Sequence, residues 1–158
     1  MDDLALARVL HVLGVVVWIG GVSIVTTALL PAIRRGELGP DWLAAFQAIE
    51  RRFVWQARAA ILVVGASGFY MVSAANLWDR FHSAQFWWMH AMVALWAIFA
   101  LGLFVVEPVF LDRRLRRWGA RQPATAFAWL AGAHVLLLAL SLITVFGAVA
   151  GSHGWSVL

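Results

Sequence analysis

The stretch FWWMHAMVALWAIFALGLFVV, residues 86–106, decides the fold. Apart from His90 it carries no ionisable side chain. It is long enough to cross a bilayer core of about 30 Å, which takes ~20 apolar residues in a helix. Extended to about residue 109, it is one of four such stretches, the others being residues 4–30, 54–77 and 124–151. Composition agrees: of 158 residues, 63% are hydrophobic and 13% charged, with a mean hydropathy of +0.84. A water-soluble domain carries about 25% charged residues. The first stretch is too long for the apolar part of a secretory signal and follows Asp2 and Asp3 rather than a basic segment, so it reads as a mature helix. The expectation is an all-α chain forming one transmembrane domain over residues 1–158. Its architecture would be an up-down-up-down four-helix bundle.

Every basic side chain is an arginine, and the arginines are unevenly placed. Arg34, Arg35, Arg51 and Arg52 fall between the first two stretches; Arg113, Arg114, Arg116, Arg117 and Arg121 fall between the last two. Arg80 is alone in the middle connection and Arg8 lies near the start. The positive-inside rule then puts the first and third connections in the cytoplasm and both termini outside. The pI near 11.3 reflects this topology and contact with anionic lipid. With no basic domain to carry it, nucleic acid is not expected as a partner. The absence of cysteine excludes disulfides, thiolate metal sites and a covalent c-type haem link.

Between the first two stretches, Pro31, Gly36, Gly39 and Pro40 predict a loop, followed by an amphipathic interfacial segment over about residues 41–52. Its Trp42, Phe46 and Ile49 recur at helical spacing. Trp55, Trp78, Trp87, Trp88, Trp118 and Trp155 stand near helix ends, as in an aromatic belt. Gly14 and Gly21 share a face of the first helix with His11 and Trp18, which turns His11 toward the bundle interior.

Ionisable groups inside spanning helices are costly and point to function. With helix centres near residues 20, 66, 98 and 138, His11 and His90 both lie about 12–14 Å from the midplane on the outer side. Arg58 and Glu107 lie at similar depth on the other side and read as an ion pair; His134 sits nearer the middle. Two imidazoles at one level on separate helices can ligate haem iron from opposite faces. His134, with Ser141, Thr144 and Ala148 following it along the helix, is the alternative second ligand. Arg8, one turn outward of His11, and Arg80 are placed to meet haem propionates. Thioether and imidazole also suit Cu(I), which makes His11, Met71, Met89, His90 and Met92 the copper alternative. There is no nucleotide loop, nucleophile elbow, zincin motif or carboxylate pair, so hydrolysis and phosphoryl transfer have no support.

The segment ARVLHVLGVVVWIGGV, residues 7–22, resembles the first-helix signature of a bacterial membrane superfamily. That superfamily includes the copper-resistance D (CopD) domain and the HemJ-type protoporphyrinogen oxidases. The signature is a histidine several residues before Trp-x-Gly, here His11, Trp18, Gly20 and Gly21. FQAIERRFVWQARAAILVVGASG, residues 46–68, is similar to the HemJ-type box of Glu-Arg-Arg entering the second helix with a glycine inside it. The resemblance covers about the first hundred residues and implies a compact bundle binding b-type haem, with His11 as an axial ligand. Two positions depart from the HemJ pattern. Ile49 stands in place of a methionine before the box, and the third helix opens with FWWMHAM rather than with an early lysine.

Together these readings predict a multi-pass protein of the bacterial inner membrane, both termini periplasmic, with one haem b toward the outer leaflet. His11 and His90 would ligate the iron, with Gly14 and Gly21 making room for the porphyrin. The expected role is electron transfer or a haem-linked redox step with a redox partner, and an oxidoreductase activity if an iron position stays open. Copper handling across the membrane is the alternative from the transport class. A small subunit of a larger membrane complex is the structural alternative, and a homo-oligomer is compatible with all three.

Overall fold

Asp2 begins the first helix: its carboxylate accepts the Leu4 N–H at 3.1 Å, and Asp3 adds a negative charge to the first turn. The computed structural model describes residues 2–39, 42–107 and 123–155, without the side chains of residues 42–47, 50 and 123. The predicted arginine cluster from Arg113 to Arg121, Pro108, Trp118 and the side chains of Trp42 and Phe46 lie outside the described residues. Four helices follow in order. They are α1 (Asp3–Arg34), α2 (Trp42–Ala74), α3 (Trp87–Leu101, continuing as a π-helical run through Glu107) and α4 (Pro123–Ser152). Two 3₁₀ turns, Trp78–His82 and Ala84–Phe86, join α2 to α3. There is no strand among the described residues. All four helices are long and apolar enough to cross a membrane.

Two boundaries differ from expectation, each for a local reason. α1 runs through Pro31 to Arg34 because Val25–Leu29 is π-helical. A proline lacks the N–H and crowds the carbonyl four residues back, and widening the preceding turn relieves that crowding. Thr26 and Thr27 donate their hydroxyls to the Val22 and Ser23 carbonyls at 2.7 and 2.8 Å within this segment. The π-helical run 102–107 likewise stands directly before a proline, Pro108. The second difference is that the segment 41–52 is not separate. It is the first part of α2, since residues 42–64 contain neither glycine nor proline to end the helix.

The helix ends are closed by backbone geometry. Gly36 at φ 73° and Asn76 at φ 50° adopt the left-handed conformation after α1 and α2. Glu37 N–H then reaches the Ala32 carbonyl at 3.0 Å, and Leu77 N–H reaches Val72 at 2.9 Å, as in a Schellman cap.

Each helix packs antiparallel to the next. Gly14 meets Val64 and Ala60 of α2, and further along α1 Gly21 meets the Phe53 ring. Gly65 of α2 meets Trp96 of α3, and the rings of Trp87 and Trp88 at the start of α3 lie on Gly147 and Gly151 near the end of α4. One end of the bundle thus carries the start of α1, the end of α4 and the α2–α3 connection. The other carries the Arg34–Arg52 region. The buried core is Trp18, Ile19 and Val22 of α1, Ala60, Ile61 and Val64 of α2, and Leu138 of α4. Trp96 and Phe99 of α3 pack against it. Trp18 stands edge-on to Phe99 with ring centroids 4.8 Å apart, and Trp96 donates its indole N–H to the Ile61 carbonyl at 3.0 Å. This core fills the middle of the bundle and its arginine-bearing half.

Candidate functional site

Above that core, toward the terminal end, the four helices leave a cavity of about 530 Å³ lined from all of them. Its walls are mostly aliphatic and aromatic. The polar or sulfur-bearing side chains on the lining are few: Arg8, His11, Met71, Met89, Met92, Ser141, Thr144 and Ser152, with the indoles of Trp18, Trp88 and Trp96.

His11 is held in one orientation by α2. Its Nδ1 lies 3.0 Å from the Val64 carbonyl and 3.2 Å from the Ser67 hydroxyl. The carbonyl can only accept, so Nδ1 carries the hydrogen and Nε2 keeps its lone pair. Ser67 donates its own hydrogen to the Val63 carbonyl at 2.5 Å, which leaves its oxygen free to accept from His11. Gly68 makes the approach feasible: a Cβ there would stand 3.2 Å from His11 Cε1. Among the described residues Nε2 has no hydrogen-bond partner.

The helix register identifies what stands opposite. Trp18 of α1 touches Phe99 of α3. Seven residues back along each helix, about two turns and therefore nearly the same face, are His11 (18 − 7) and Met92 (99 − 7). Both line the cavity. The hydroxyls of Ser141 and Thr144 on α4, both buried, donate to the Leu137 and Leu140 carbonyls of their own helix at 2.7 Å each. They therefore offer the cavity lone pairs rather than hydrogens.

The structure brings together some of the predicted residues and separates others. His11, Arg8, Trp18, Met71, Met89 and Met92 share the cavity wall. His90 does not. It is exposed, donates Nε2–H to the Phe81 carbonyl at 3.0 Å and packs edge-on to the Phe81 ring, and so fastens the Trp78–His82 turn to α3. His134 is also off the cavity, with Nδ1 2.9 Å from the Leu130 carbonyl one turn back. Arg80 lies over the Phe86 ring, 4.9 Å from its centroid, away from the cavity wall. Gly14 and Gly21 face α2, so the space they provide is taken by Val64 and Phe53 rather than opened to this cavity. Among the described residues no three His, Asp or Glu side chains gather as a metal-holding group.

Two residues of the site had weak sequence signals. Ser67 is the only serine or threonine between residues 28 and 72, and nothing in its spacing ties it to His11. Met92 sits in a motif with His90, but its counterpart across the bundle emerges only from the Trp18–Phe99 contact.

In the arginine-bearing half, Arg58 and Glu107 form the expected ion pair at 2.5 Å. Arg58 also gives two hydrogen bonds, at 3.1 and 2.9 Å, to the Leu103 carbonyl and lies against the Trp55 and Phe104 rings. Residue 108, a proline, has no N–H to give that carbonyl in the π register, and the guanidinium supplies donors instead.

No family model, no characterised protein and no solved structure matches this chain.

Proposed function

We propose that this is a multi-pass protein of the bacterial inner membrane, with its arginine-rich connections in the cytoplasm and its termini outside. It would bind one b-type haem in the outer-half cavity and serve electron transfer or a haem-linked redox step. The observation that carries this reading is the state of His11. Its Nδ1–H is committed to Val64 and Ser67, and its Nε2 lone pair has no partner among the described residues on a side chain that lines a large apolar cavity. Ligating imidazoles are oriented in this way, with the second ring nitrogen donating to a carbonyl. A volume of about 530 Å³ lies within the range of about 300–1,000 Å³ for small-molecule and cofactor sites and exceeds what a bare ion requires.

The membrane placement is supported by the surface. Val16, Ile24, Leu62 and Val149, each more than half exposed, belong to an almost continuous aliphatic exterior that water would not tolerate. Among the chain's own residues, His11 on α1 and Met92, at the same level on α3, would hold the iron. Arg8, on the cavity rim nearest the terminal end, would meet propionates. Bound haem supplies a one-electron couple, and histidine–methionine ligation sets a higher potential than two histidines do.

Purified protein should show a Soret band and α/β bands that sharpen on reduction. His11→Ala should lose the haem. Met92→Leu should keep haem but shift its spectrum toward the high-spin form, while His90→Ala and His134→Ala should leave the spectrum unchanged. A chain without any haem spectrum after expression with ample haem would sink the reading.

One observation favours a second reading. His11, Met71, Met89 and Met92 all lie on the same wall, a soft donor set suited to Cu(I). Stoichiometric copper without haem in the purified protein would decide for copper handling.

A further inference from the structure

A second recess, of about 590 Å³, lies on the outside of the bundle where α1 meets the first half of α2. We propose that it is a binding groove for one anionic phospholipid of the cytoplasmic leaflet, the acyl chain in the groove and the phosphate held by Arg34 at its mouth, with Arg52 along its wall. This rests on the membrane placement above but not on haem.

The groove is made by small residues. Gly20, Ala28 and Ala32 of α1 leave space that Ile49, Phe53 and Gln56 of α2 border along one face. A Cβ placed on Gly20 would meet no atom within 4 Å, so this glycine is not required for packing against the rest of the protein. The π turn Val25–Leu29 contributes Val25, Ala28 and Leu29 to the lining.

Length decides between a lipid chain and a helix as the occupant. The lining runs along α1 from Val16 to Ala32, and the midpoint of the Asp3–Arg34 span falls between Trp18 and Ile19. From there to Ala32 is about 20 Å along a helix, comparable with one leaflet and its headgroups, half of a bilayer of about 40–45 Å. A helix from a second copy would need the groove to continue through the other leaflet. Instead the exposed face there carries the bulky Val9, Val12 and Leu13.

Charge names the headgroup. Arg34 closes α1 immediately beyond the groove, and Arg52 precedes Phe53 on its wall. Both are exposed, and neither has a hydrogen-bond or ion-pair partner among the described residues, whereas Arg35 is paired with Glu37. Guanidiniums without a partner among the described residues, Arg34 at the end of an apolar groove and Arg52 along its wall, suit a phosphodiester next to its hydrocarbon tail.

The test is native mass spectrometry of the full chain released from detergent with phosphatidylglycerol or phosphatidylcholine of identical acyl chains. Wild type should retain phosphatidylglycerol in preference. Arg34→Gln with Arg52→Gln should reduce that preference by about fivefold per arginine. Gly20→Leu should reduce retention of both lipids while leaving the thermal melt unchanged, because the added side chain meets only the groove. Equal retention of the two lipids by wild type, or unchanged retention in Gly20→Leu, would overturn the proposal. So would a dimer that Gly20→Leu dissolves. The haem spectrum, read on the same sample, reports separately on the other cavity, which shares only Val16 with this groove. Recovery of the chain in the soluble fraction would instead overturn the membrane placement.

Discussion

A single imidazole, His11, joins the packing of α1 and α2 to the chemistry open to the cavity. Because its Nδ1–H is shared between a carbonyl and a hydroxyl, losing one acceptor is tolerable. Ser67→Ala should leave haem bound and cost about 1 kcal/mol of stability, read as a small drop in melting temperature. Gly68→Leu should be far more damaging to the site. Its Cβ alone already crowds His11 Cε1, and the branched end would push the ring from its acceptors; absorbance titration with haem should show binding lost in a chain that remains helical. His90 reverses its sequence-based expectation. An imidazole at the start of an apolar helix looks like a ligand, yet a 3₁₀ turn brings the Phe81 carbonyl to its Nε2. That turn follows from the positive φ of Asn76, a conformation that the residue type permits but does not demand. His90→Ala should therefore loosen the α2–α3 connection, seen as faster proteolysis between residues 77 and 86, without changing the spectrum of the proposed haem.

At the scale of elements, the four spans were legible because length and hydropathy suffice to define them. Their ends were less so. A proline at position 31 reads as a stop, but a π turn before it lets α1 continue for another turn. The same device before Pro108 leaves the Leu103 carbonyl to Arg58. Arg58→Met would remove those donors and strand the Glu107 carboxylate, at a cost of about 3 kcal/mol. Glu107→Gln, which leaves the Leu103 bonds intact, should cost about 1 kcal/mol; thermal or SDS unfolding of the two variants measures the difference. Glycines 20 and 21 make a matched pair on α1. Gly21→Leu collides with Phe53 and should destabilise the α1–α2 contact by about 2 kcal/mol, whereas Gly20→Leu should be silent in the same melt. The seven-residue spacing that puts Gly21 on the face of Gly14, and His11 on that of Trp18, is what distinguishes Gly21 from Gly20.

For the whole molecule, the up-down-up-down order was readable from four hydrophobic runs and short connections, while the cavity was not. A void depends on where two helix pairs fail to touch, and no single helix encodes that. The core lies around Trp18, Ile61 and Leu138, and the opposite half encloses space instead of side chains. If the cavity holds the proposed haem, that ligand should add to stability by mass action, by about 4 kcal/mol at a thousand times its dissociation constant, and stripping it should lower the melting temperature accordingly. The same lopsided packing divides the chain into two zones of unequal opening free energy. In ligand-free protein, amides at the terminal ends of the helices should exchange with deuterium well before those near residues 57–64 and 134–141, and cofactor binding should slow the first group alone. Exchange at one rate along the helices would contradict that division. If it holds, the bound group is the last structural layer of the bundle, and assembly of this protein is completed only when that layer is in place.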